Sequence, residues 1–202
     1  VYLAKRLRVP LTTGSSYTIA IVIEAIVEAC KTVGIELKEA TVAVVGATGT
    51  IGRICTQLMA RDARHLLLVA RNRQRLQDLI QLLADEGHAV TASVVDLDAA
   101  VANADVIITA TNTPAALIDV RKLKPGAIVC DVSRPRNVSE ENALLRPDVL
   151  VLDGGVVKPP GEVDFHFSFG IAPGLAYACM AEPMILAMEG RYESFSLGGD
   201  ID

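Results

Sequence analysis

Tryptophan is absent from this 202-residue chain, and aromatic residues make up only 4% of it. The interior must then be filled by Ala, Val, Ile and Leu, as suits buried parallel strands. Half of the chain is apolar (51%), enough for a sizeable core. At this length it reads as one large domain, or one domain with an appendage. A basic excess is also lacking. The net charge of −5 argues against a nucleic-acid partner, although Lys5, Arg6 and Arg8 form one local basic patch and Arg71, Arg73 and Arg75 another. Cys30, Cys55, Cys130 and Cys179 form no Cys-x-x-Cys pair. That argues against a zinc site or redox pair and fits a reducing, cytoplasmic setting. No signal peptide is evident. The longest apolar run, 19–29, is interrupted by Glu24 and falls short of the ~20 residues a membrane span needs. The chain opens on Val1 and a short basic stretch, which reads as part of a longer protein whose N-terminal portion is missing.

What is present is an alternation of short β-branched runs with amphipathic stretches. Strands are expected at 41–45, 65–70, 90–95, 106–110, 127–131 and 149–153. Helices are expected at 17–33, 51–61, 73–86, 97–103 and 174–189, and a surface loop at 158–170. Glu24, Glu28 and Lys31 form one narrow polar stripe on the first helix, so most of that helix should be buried. Steady alternation predicts an α/β fold with a doubly wound, mostly parallel sheet. The expected division is a lead-in and flanking helix at 1–34, a Rossmann-like nucleotide-binding domain at 35–173, and a closing helix and tail at 174–202.

Gly46-Ala47-Thr48-Gly49-Thr50-Ile51-Gly52 joins the first strand to the next helix. There the chain must reverse, approach a phosphate closely and pack a new helix on the strand, and each need favours glycine. The helix start directs free N–H groups at an anion, and Thr48 and Thr50 add hydroxyls. The second strand ends in Ala70-Arg71-Asn72-Arg73. An NAD site usually carries Asp or Glu near this point; arginine instead suits a 2′-phosphate. The expected cofactor is therefore NADP(H). Ala110, Thr111 and Asn112 end the fourth strand and are expected to border the nicotinamide half. Residues 131–137, Asp-Val-Ser-Arg-Pro-Arg-Asn, end the fifth, where ligand contact and ordinary loop chemistry read equally well.

Few side chains can supply reactivity. His65 enters a strand, His88 sits near a turn, and His166 lies in a loop. Cys179 falls near the start of the closing helix, where a thiol can be activated as a nucleophile. By residue type alone it reads as a small buried residue, as do the other three cysteines.

Several motifs nonetheless resemble the long-chain acyl-[acyl-carrier-protein] reductases of cyanobacteria. They are Thr-Thr-Gly-Ser-Ser-Tyr-Thr at 12–18, the glycine turn, Ala-Arg-Asn at 70–72, Val-Leu-Asp-Gly-Gly-Val-Val at 151–157, Ala-Cys-Met-Ala-Glu at 178–182 and Phe-Ser-Leu-Gly at 195–198. The resemblance implies NADPH-dependent reduction of a fatty acyl thioester to an aldehyde, with Cys179 carrying the acyl group. It reverses the reading of Cys179. It implies a small-molecule or carrier-bound acyl substrate, with acyl carrier protein as a candidate partner; a homo-oligomer is a candidate assembly. Two departures stand out: the family's N-terminal domain is not in this chain, and Pro183 follows the Ala-Glu pair. The region 110–136 instead resembles glutamyl-tRNA reductases and shikimate dehydrogenases. The alternatives are a shikimate- or amino-acid-type dehydrogenase without covalent catalysis, and a non-enzymatic NADP-binding module.

Overall fold

The computed structural model describes residues 2–88, 90–113 and 116–197. Pro114, within the region 110–136, and Gly198, the last residue of the 195–198 motif, lie outside them. The chain divides into two compact units, Val22–Gly154 and Val1–Ile21 with Gly155–Asp202; the boundary falls within helix α1 (Ser15–Val33).

The unit Val22–Gly154 is built on six parallel strands: β1 (Thr41–Val45), β2 (His65–Val69), β3 (Thr91–Val94), β4 (Val106–Thr109), β5 (Ile128–Asp131) and β6 (Leu150–Asp153). Their order is β3-β2-β1-β4-β5-β6. This is the doubly wound order expected of a Rossmann-like sheet, with its switch point between β1 and β4. The strands are near-continuous Val/Ile/Leu runs because both faces are covered. Ala43, Val45, Leu67, Ile107 and Val129 point to one core with Ala100 and Val101 of α4 (Leu97–Asn103). The alternate residues Val42, Val44, Leu66, Leu68, Ile108 and Ile128 are equally buried. Each fully buried Leu or Ile contributes roughly 1.5–3 kcal/mol, so this double-sided core dominates the unit's stability. The polar stripe of α1 is exposed as expected, while Val22, Ile26 and Cys30 are buried at helical spacing. Helices α2 (Thr50–Met59), α3 (Arg73–Asp85) and the short α5 (Glu140–Ala143) complete this unit.

In-register pairing brings the strand ends to one edge. Val69 pairs with Val45, Val45 with Thr109, Thr109 with Asp131, and Asp131 with Asp153. Every loop that follows a strand therefore leaves from the same line.

The second unit differs from expectation in its closing helix. α6 runs Ala178–Met188 rather than from residue 174. Gly174 has a positive φ of 78°, and Ala176–Tyr177 form β8, paired antiparallel with β7 (Val156–Val157). These residues are committed to a hairpin-like pairing before the helix can start. The lead-in is not simply extended either: residues 2–6 turn, and Thr12 bridges in parallel to Phe195. No helix among the described residues is long and apolar enough to cross a membrane.

Candidate functional site: a glycine-lined cleft and an exposed thiol

A cleft of about 470 Å³ opens at the carboxyl edge of β1, β2 and β4. One rim is the glycine turn. Gly46 takes φ +90°, and a Cβ there would lie 2.4 Å from the Ala110 carbonyl oxygen. At Gly52 a Cβ would lie 2.2 Å from the Gly46 carbonyl oxygen. The turn is therefore folded onto its own helix and onto the end of β4, with no room for a side chain at Gly46 or Gly52. Gly49 caps α2 without a side-chain hydrogen bond. By contrast Asn72, Asp96 and Ser139 each cap their helices through side-chain oxygens. The first amides of α2 thus remain for an anion, with the positive helix end behind them.

Gly46, Thr48, Gly49, Arg71, Asn72, Ala110, Thr111 and Asn112 all line this cleft. Thr50, Ile51 and Gly52 do not; they form the first turn of α2, contributing backbone rather than side chains. Arg73 is also outside the lining, whereas Arg75 is part of it. Helix α3 begins at Arg73, so residue 75 turns back toward the cap: its backbone N–H donates to Asn72 Oδ1 at 3.1 Å. The signal for Arg75 was its place in the basic patch, read one helical turn on. Arg71 is exposed, and no carboxylate pairs with Arg71, Arg73 or Arg75 among the described residues.

The loop after β5 is organised from inside. Asp131 is buried, and its carboxylate accepts from Thr109 Oγ1 (2.6 Å), Ser133 N (3.0 Å), Asn137 N (2.6 Å) and Val138 N (2.9 Å). Ser133 Oγ accepts from Thr111 N at 3.0 Å and from Asn137 Nδ2 at 2.5 Å. Asp131 thereby fixes the loop that supports Thr111 in the cleft wall. Arg134 and Arg136, from the same loop, both pair with Asp153.

The thiol lies in the other unit. Cys179 is the second residue of α6 and is exposed. The remaining cysteines are buried. Burial, followed by the charge of Cys130, pushes the Cys55 thiol up to about 12. Burial, then Asp131 and Asp153, does the same to Cys130. Burial and then Asp105 raise Cys30. These three are inert packing thiols. Beside Cys179, Gly14 packs so closely that a Cβ on it would sit 2.2 Å from the Cys179 Cα. His166 is exposed and pairs with Asp164, Nδ1 to Oδ2 at 3.1 Å. His65 opens β2, and His88 pairs with Glu86 at 3.3 Å.

Comparison with known proteins bears on both parts. The chain is similar to a long-chain acyl-[acyl-carrier-protein] reductase of Synechococcus elongatus, 32% identical over 194 residues, covering 93% of this chain and 54% of that protein. It is also similar to the aminotransferase PigE of a Serratia species, 29% identical over 199 residues, covering 96% of this chain and 23% of the relative. The chain therefore spans about half the length of the first relative and under a quarter of the second. Among solved structures, glutamyl-tRNA reductase from Methanopyrus kandleri superposes with a TM-score of 0.53 at 27% identity, covering 65% of this chain and 34% of that one. Residues 28–153, nearly the whole six-stranded unit, match the family described as shikimate / quinate 5-dehydrogenase. That match takes in more than half of the chain, which thus belongs to the shikimate / quinate 5-dehydrogenase family.

Proposed function

We propose that this chain is the reducing portion of an NADP(H)-dependent oxidoreductase that converts a fatty acyl thioester to an aldehyde through an acyl group held on Cys179. The observation that carries this reading is the contrast among the four thiols: three are buried, and Cys179 stands exposed on the first turn of a helix. The similarity to the acyl reductase supports it, since that match covers 93% of the chain and extends beyond residue 153 into the segment that holds Cys179.

The residues of the cleft fit a dinucleotide. Gly46, Gly49 and the first amides of α2 would take the pyrophosphate, with Thr48 beside them. Arg71, with Asn72 and Arg75, would take the 2′-phosphate through charge-assisted hydrogen bonds. Ala110, Thr111 and Asn112 would border the nicotinamide. When bound, NADPH supplies a hydride to the acyl carbon. Cys179 acts earlier: its sulfur attacks the thioester carbonyl, a new C–S bond forms, and the carrier's thiol leaves with the proton. The acyl group is then held in place for reduction.

The test is intact-mass analysis of the full-length protein incubated with a long-chain acyl-CoA in the absence of NADPH. One acyl adduct is expected, and it disappears in Cys179→Ala. A wild-type protein that takes up no acyl group sinks the proposal and leaves a dehydrogenase of the shikimate type, in which Cys179 takes no part in the chemistry.

A further inference from the structure

Glu182 is a buried carboxylate (4% exposed) in the unit formed by Val1–Ile21 and Gly155–Asp202, one turn along α6 from Cys179. Its Oε2 accepts the Tyr17 backbone N–H at 2.7 Å. Its Oε1 accepts the Ser196 hydroxyl at 2.6 Å and the Thr12 hydroxyl. Thr12 Oγ1 in turn accepts the Gly14 N–H at 3.1 Å. Helix α1 begins at Ser15, so Gly14 stands at its cap and Tyr17 N is the third of its unpaired amides. A cap side chain would normally satisfy that amide. Gly14 cannot carry one, because a Cβ there would meet the Cys179 Cα at 2.2 Å and its carbonyl oxygen at 2.3 Å. The close contact with Cys179 thus removes the local cap, and Glu182 supplies it from another element. Its negative charge also sits where the α1 dipole favours an anion.

α6 needs such an outside support. Pro183 lies inside the helix, four residues after Cys179. It has no N–H, so the Cys179 carbonyl loses its helical partner. The backbone of Cys179 therefore lacks one tie to its own helix, and the Gly14 segment is pressed against it.

We infer that Glu182 is a positioning residue for Cys179: by capping α1 in place of a Gly14 side chain, it holds the Gly14 backbone against Cys179 and sets the direction of the thiol. Glu182 touches no reacting atom in this role. The kinetic part of the inference rests on the acyl-carrier reading of Cys179; the structural part does not.

Two measurements on the full-length protein test it. The first needs no substrate. Cys179, the exposed thiol, is cyanylated selectively, and the infrared C≡N band is recorded for wild type, Glu182→Ala, Glu182→Gln and Thr12→Val. A narrow band is expected for wild type and for Glu182→Gln, whose carbonyl can still accept from Tyr17 while the two hydroxyls turn to accept from its amide. Glu182→Ala and Thr12→Val broaden it. Ser139→Ala, which removes the cap of α5, leaves it narrow. The second measurement is single-turnover acylation by acyl-CoA. Glu182→Ala is expected to slow it about tenfold or more, as misplacement of a reacting group does, while iodoacetamide labelling of Cys179 changes little. Circular dichroism confirms that each variant is folded, and Thr12→Val serves should Glu182→Ala fail to fold. An unchanged band in a folded variant lacking either strut overturns the inference, as does equal broadening in Ser139→Ala. A wild-type protein that takes no acyl group overturns the acyl reading alone, and the band still decides the role of Glu182.

Discussion

Arg71 shows how much one side chain can decide. It follows β2 at the point where a carboxylate would accept ribose hydroxyls, and it lines the cleft without an acidic partner among the described residues. An exposed arginine with no phosphate to hold contributes little to stability, so its replacement should be silent in the fold and visible in cofactor choice. Hydrogen bonds to charged groups are worth about 1.5–3 kcal/mol. Arg71→Ala is thus expected to weaken NADP(H) roughly 10- to 100-fold and to leave NAD(H) nearly unchanged. Titration of both cofactors by fluorescence or calorimetry checks this, and equal loss for the two would refute the phosphate role. Arg75 shares the same wall, so some affinity for the phosphate should survive in the single variant.

Among elements, the loop after β5 carries the next prediction. Asp131 closes its strand with four accepted hydrogen bonds and no exposure to speak of. Asparagine has one acceptor oxygen in place of two, and its amide would face the N–H groups of Asn137 and Val138. Asp131→Asn is expected to cost roughly 2–4 kcal/mol, because buried donors lose their partner. A lower urea midpoint at unchanged slope would show it; a midpoint within error of wild type would mean that the loop is held by other contacts. The contrast with β1 explains what could be read from sequence. Strands such as Thr41–Val45 and Val106–Thr109 announce themselves through runs dominated by β-branched residues, and the glycine turn through its place between strand and helix. Those signals are local. The Asp131 network joins residues on two strands and a loop, and the cap of α1 comes from Glu182, 165 residues away from Tyr17. No window along the chain contains them. The late start of α6 has the same cause: residues 176–177 are good helix formers by pattern, but pairing with Val156–Val157 claims them. Arg73 and Arg75 were indistinguishable as charges; only the position of the α3 start tells which one faces the cleft.

At the scale of the whole molecule, the buried thiols link folding to pH. In the folded protein Cys55 and Cys130 are pushed up to about 12 by burial, assisted by neighbouring negative charge, from an ordinary value of 9.0. An unfolded chain would release these protons near the ordinary value. Between about pH 9 and 12 the folded state therefore holds more protons than the unfolded one, and stability falls as pH rises. The sign is opposite to that of a paired carboxylate, whose contribution is lost on the acid side. Asp119 and Asp148, held below the usual range by hydrogen bonds from Arg121 and Arg146, are such carboxylates, but both are at the surface and contribute little. Stability should thus fall along the alkaline limb, with each buried thiol contributing up to about 1.4 kcal/mol per pH unit within the window. Urea denaturation at intervals from pH 8 to 11 measures the slope. A Cys55→Ala, Cys130→Ala variant should be less stable at pH 8, because two packed side chains are truncated, yet flatter above pH 9. A wild-type curve as flat as that of the variant would show that these thiols ionise as readily in the folded core as in the open chain, which their complete burial makes hard to reconcile with the cost of charge in an apolar interior.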